Sequence, residues 1–89
     1  MLILENWHKK LKKIHECTNL KSNSIPIIYG IDAIHGANYI QNSTLFPQEI
    51  ALAASWDTSI ARSMGLVTAY ETRASGIAWN FSPVLDLGR

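Results

Sequence analysis

Two apolar runs in this chain end in the same way, and that shared ending limits what it can fold into. Ile27-Ile28-Tyr29-Gly30-Ile31 leads to Asp32 and a loop containing Gly36, and Trp79 to Leu87 contains Asp86 and leads to Gly88. Pro26 disfavours helix at Ile25, and the residues after it are β-prone, so a buried strand is predicted at about 26–31. A second strand is predicted over 79–87, with Pro83 opposing a fully regular ladder there. The stretch between them is long enough for a right-handed crossover joining parallel strands. Asp32 and Asp86 then share the C-terminal edge of a parallel sheet, where α/β folds keep their chemistry. Asp32 stands between Ile31 and Ala33, where burial is expected and an unpaired carboxylate is expensive. An active site is one of the few reasons to keep it.

The crossover carries its own signals. Pro47 suits the first turn of a short helix, and Glu49 suits its positive end. Asp57 is a good N-cap for a longer helix, whose buried stripe is expected at Ile60, Met64 and Val67 and whose natural terminator is Gly76. Gly36 to Thr44 reads as a polar loop. Ahead of the first strand, Leu4, Trp7, Leu11 and Ile14 recur at helical spacing within residues 2–16, and Thr18 to Ser24 form a polar linker. The predicted order is helix, strand, helices, strand.

Charge separates along the chain, although the net value is only +1. Residues 1–21 carry a local excess of three positives, mostly on the first helix, and the remainder an excess of two negatives. The lysines read as a solvated helix face, and neither nucleic acid nor membrane is an expected partner. Cys17 is the only cysteine, which excludes an internal disulfide and a zinc-type cluster. The opening MLILENWHKKLKK reverses signal-peptide order, and no apolar run has membrane-spanning length, so a soluble chain without an address label is expected. No metal and no cofactor is expected.

Two strands cannot cover both faces of a parallel sheet or close a barrel, and a (β/α)8 barrel needs about 250 residues. The 89 residues read as part of something larger. Three ordered segments, IPIIYGIDAIHG, TLFPQEIALAASWD and ETRASGIAWNFSPVLDLGR, make the identification. Together they resemble the N-terminal barrel domain of family 3 glycoside hydrolases, the β-glucosidase and exo-glucanase group, from about Ile25 to Arg89. Residues 1–24 then form a leading helix and linker, and 25–89 a βαβ segment of a partial TIM-type barrel. Members that remove N-acetylglucosamine usually have Gln-Glu-Gly-Gly just after the corresponding aspartate. Ala33-Ile34-His35-Gly36 instead has the form typical of the β-glucosidase branch.

The resemblance implies a retaining β-glycosidase releasing a terminal sugar, most often glucose, from the non-reducing end of a β-linked glucoside or oligosaccharide. In relatives the nucleophilic aspartate lies much further along the barrel and the acid/base glutamate in a later domain, so no catalytic residue is expected here. The rest of the barrel and the following domain would be required for activity. Arg89 matches the first arginine of an Arg-Asp-Pro-Arg-Trp-Gly-Arg element whose last arginine binds sugar. Among residues that touch substrate in relatives, Asp32 alone carries over. Its implied role is to accept hydrogen bonds from sugar hydroxyls, which suits a carboxylate because it is acceptor-only.

Each remaining feature has a structural reading. Asp86 is expected to hold the loop that follows it, and His35 to be a hydrogen-bonded structural neighbour of Asp32. His8, His15 and Cys17 have no ligand spacing. Glu71 and Arg73 belong to contacts between the long helix and its neighbours, Trp79 is assigned to core packing, and Trp56 is left between packing and sugar stacking. The competing functional reading is a non-catalytic truncated module that binds carbohydrate weakly or pairs with another polypeptide.

Overall fold

In the computed structural model, which describes residues 1–20 and 25–85, the elements are α1 (Leu4–Asn19), β1 (Gly30–Ile31), α2 (Glu49–Ala53), α3 (Thr58–Ala74) and β2 (Trp79–Asn80). The two strands pair in parallel, Gly30 opposite Trp79 and Ile31 opposite Asn80. The chain is therefore α/β, with both longer helices outside a two-stranded sheet. Both strands are much shorter than the runs predicted at 26–31 and 79–87, of which 86 and 87 lie outside the described residues. A ladder needs a partner and an N–H at each step. Pro26 and Pro83 have no N–H, and Ile27 and Ile28 stand exposed with no strand beside them among the described residues.

Helix α3 starts and stops where its sequence says. The Asp57 carboxylate accepts from the backbone N–H of Ser59 at 2.8 Å and of Ile60 at 3.4 Å, and from the Ser59 hydroxyl at 2.6 Å. Those bonds, the Ser59 hydroxyl's foremost, hold this exposed carboxyl below the usual aspartate range. After the cap residue Ser75, Gly76 takes φ +89°, and a Cβ there would press against His8 and Leu11. The short helix begins later than its proline suggested. Its N-cap is Gln48, so Pro47 lies just outside and Glu49 is the first helical residue.

The core forms where α1 lies on β1 and the loop that follows. Trp7 and Leu11 pack with Ile31, Ala33, Ala37, Ile40 and Ile77, with Leu2 and Tyr29 at the margin. Segment 36–44 is thus more than a polar loop, since Ala37 and Ile40 plug it into the core. Trp7 Nε1 donates to the Tyr39 carbonyl at 3.2 Å, and Gln41 N donates to the Leu2 carbonyl at 2.8 Å. Helix α1 runs past residue 16 to Asn19, its lysines exposed and its Leu4 only half covered.

The α3 stripe differs from expectation in composition. Met64 is buried and Val67 partly so, but Ile60 is half exposed, while Thr68 and Thr72 are buried. Met64, Thr68 and Thr72, with Leu52, Ile77, Asn80 and Pro83, line a groove of about 740 Å3 between the sheet's end and the helices. The hydroxyls of Thr68, Thr72 and Ser82 are buried with no hydrogen-bond partner among the described residues. Trp79, expected in the core, is 54% exposed, and Trp56 is almost fully exposed at φ +52°. No helix among the described residues is long and apolar enough to cross a membrane.

Candidate functional site

Strand alternation decides where Asp32 stands. Its neighbours Ile31 and Ala33, 6% and 1% exposed, turn into the core beneath α1. Side chains on an extended chain alternate, so Asp32 is delivered to the opposite side, and there it is exposed. The burial expected from its apolar neighbours is therefore reversed by the geometry that buries those neighbours. Asp32 forms no ion pair and accepts no hydrogen bond among the described residues, so none of those residues occupies the acceptor sites of its two oxygens.

The backbone around it is fixed from several sides. Asn80 Oδ1 accepts from Ala33 N at 2.9 Å and from Ser82 N at 3.3 Å, joining the ends of both strands through one amide. Phe81 N donates to the Ile31 carbonyl at 3.0 Å, extending the parallel register one step beyond the ladder. Past Asp32 the chain turns at Gly36, φ +102°, where a Cβ would collide with the Thr44 carbonyl. Phe46 N donates to the His35 carbonyl at 2.8 Å, so the hydrogen bond His35 contributes comes from its backbone. Glu71 reaches from α3 to take both the N–H and the hydroxyl of Thr44 at 2.9–3.1 Å, which gives it the interelement role expected of it.

Asn80 was missed in the sequence, although a lone amide inside Trp79-Asn80-Phe81 was its signal. His8 on α1 is tied to α3, its Nε2 lying 2.8 Å from the carbonyl of Ala74, the last residue of that helix. Arg73 lines the large groove. Asp86 and Arg89, together with residues 21–24, lie outside the described residues.

The groove beside α3 is not where this carboxylate points. Ala33 and Asn80 line it, Asp32 does not, and its own carboxylate, Glu49, accepts from Val84 N at 3.3 Å. By the same alternation Gly30 shares the face of Asp32, and the rings of Phe81 and Trp79 lie over Gly30. Trp79 and Phe81 meet edge to face, centroids 4.8 Å apart at 87°. This face pairs an acceptor-only group with apolar surface, a combination suited to ligands that carry hydroxyl donors on a carbon ring.

The family described as "Glycosyl hydrolase family 3 N terminal domain" matches residues 2–89. Three curated relatives agree with it. A "Lysosomal beta glucosidase" of Dictyostelium discoideum is 47% identical over 66 residues, which is 74% of this chain and 8% of that protein. A "Beta-xylosidase" of Formosa agariphila is 38% identical over 63 residues, 66% of this chain and 9% of that protein. A "Periplasmic beta-glucosidase" of Salmonella typhimurium is 32% identical over 65 residues, 73% of this chain and 8% of that protein. The chain thus spans less than a tenth of the length of these relatives. No solved structure matches it.

Proposed function

The chain belongs to glycosyl hydrolase family 3, and on that premise we propose that it supplies the sugar-gripping edge of a retaining β-glycosidase. In this reading β1 and β2 are adjacent strands of a (β/α)8 barrel, and Asp32 stands at its C-terminal rim. The substrate is a β-linked glucoside or oligosaccharide with a terminal glucosyl residue at its non-reducing end. Two relatives named for β-glucosidase activity support that sugar, and the one named for xylosidase activity marks the nearest competitor. The single observation that carries the reading is the exposed Asp32, without a partner among the described residues but held on a backbone locked by Asn80.

The role of Asp32 is binding. Its two oxygens accept hydrogen bonds from hydroxyls of the terminal sugar, and charge makes each bond stronger than a neutral one. These contacts orient the anomeric carbon for attack by a carboxylate elsewhere in the barrel, while a further carboxyl protonates the departing oxygen and later activates water. Neither of those two groups is assigned to these 89 residues. His35 and Asp86 are assigned support of the loops on either side of Asp32.

The test is a double-mutant cycle in the complete glycosidase. Asp32→Ala is combined with aryl β-glucosides lacking single hydroxyls, and thermal stability is followed alongside. Strong coupling to one or two hydroxyls is expected, with little change in unfolding temperature. If no hydroxyl couples, or the variant simply unfolds, Asp32 is a structural residue.

A further inference from the structure

We propose that Phe81 is a sugar-stacking residue, the apolar wall beside Asp32 on which the C–H face of the terminal pyranose rests. The inference builds on the assignment of Asp32 as the sugar-binding carboxylate. A pyranose carries hydroxyls around its rim and C–H bonds on its faces. A carboxylate can take the rim, and the face then needs an apolar surface next to that carboxylate.

Three features put the Phe81 ring there. A Cβ on Gly30 would lie 2.6 Å from Phe81 Cε1 and 2.7 Å from Cζ, so the ring sits directly over the glycine backbone. Gly30 and Asp32 are two residues apart on extended chain, hence on one face, and the ring over Gly30 shares the face of Asp32. The bond from Phe81 N to the Ile31 carbonyl sets the register that brings residue 81 alongside residue 32.

The ring is also held before any ligand arrives. Gly30 lies beneath it and Trp79 meets it at 87°. Asn80, the residue before it, is fixed by Ala33 N and Ser82 N. Even so, Phe81 remains 48% exposed. An aromatic side chain seated on a glycine, braced by a second aromatic and open beside an exposed carboxylate has the parts of a stacking platform.

Glucose, the expected product, is the probe, and its dissociation constant is measured with the complete enzyme by calorimetry. Phe81→Leu should weaken glucose about tenfold, whereas Phe81→Tyr, which keeps the ring, should stay within about threefold. Unchanged glucose affinity in Phe81→Leu, with affinity lost in Asp32→Ala, overturns the stacking role and leaves the Asp32 assignment standing. Unchanged affinity in both variants overturns both. Should Phe81→Leu fail to fold, the unsubstituted enzyme decides, prepared deuterated except at phenylalanine. Saturating its ring protons should transfer to the C–H protons on one face of bound glucose, and the transfer should vanish in Phe81→Tyr. Absence of transfer in the unsubstituted enzyme overturns the proposal.

Discussion

Asp32 and Asn80 divide one task. The carboxylate is exposed with no partner among the described residues, and the amide fixes the chain on which it stands. A hydrogen bond to a charged group is worth about 1.5–3 kcal/mol, so if Asp32 binds two sugar hydroxyls as proposed, Asp32→Ala should remove roughly 3–6 kcal/mol when the two add. In kcat/KM on a β-glucoside that is about two to four powers of ten, with the unfolding temperature nearly unchanged. Asp32→Asn keeps one acceptor oxygen and should fall between the two. Asn80 behaves differently, because losing it strands the N–H groups of Ala33 and Ser82. Asn80→Leu should lower stability by about 1–3 kcal/mol and reduce kcat/KM with it. Asn80→Asp retains an acceptor at the same reach and should recover most of both, read by thermal unfolding and steady-state kinetics.

At the scale of elements, α3 is the strut on which the site loop hangs. Its N-terminus is closed by Asp57, its Glu71 holds Thr44, and its C-terminal carbonyl at Ala74 is met by His8 of α1. The Asp57 carboxyl is held below its ordinary pKa in the folded chain, so it binds protons less readily there than when unfolded. Its stabilising contribution is therefore complete above the unfolded-state pKa and is lost as pH falls through the lower folded-state value. Asp57→Ala should lower the unfolding temperature at neutral pH and flatten the acid limb of a stability–pH curve. Glu71→Gln tests the strut. The amide retains one acceptor for Thr44, so loop 36–46 should loosen less than in Glu71→Ala, as read by amide exchange at Thr44 and Phe46.

Taken whole, the molecule leaves much apolar surface open. It exposes 6930 Å2, where a folded monomer of 9.9 kDa exposes about 5200 Å2. Its radius of gyration is 15.5 Å, against about 12 Å for a compact domain of this length. Ile27, Ile28, Val84 and Leu85 are among the exposed residues, and among the described residues the two-residue strands leave open sheet edges. The 89 residues by themselves should be self-associating or poorly folded, and sedimentation with thermal unfolding checks this. A monodisperse monomer with a cooperative transition contradicts it. The same preparation should hydrolyse no aryl β-glucoside above background, because a retaining glycosidase needs two carboxyl groups set together. Turnover that a nucleophile-trapping fluorosugar abolishes would contradict that.

Local rules were enough for α3, because a side-chain cap at Asp57 and a left-handed glycine at Gly76 act within a few residues of the backbone they close. The parallel α/β order and the position of Asp32 at a strand's end were legible for a similar reason, since β-prone runs and turn residues alternate in plain view. Other features depended on contacts between distant residues. The actual ladder is two residues per strand because pairing needs a partner, which no single segment specifies. Ala37 and Ile40 left the polar loop for the core because Trp7 and Leu11 of α1 were there to receive them. Asp32 became exposed once Ile31 and Ala33 turned together into that core. Asn80 acquired its role only when a parallel register brought its amide to Ala33 N, 47 residues away. Composition and spacing determine which segments want to be helix, strand or turn, since those preferences are set by near neighbours. The face a side chain occupies, and the partner it finds there, are decided by tertiary packing, because burial is a property of the assembled surface.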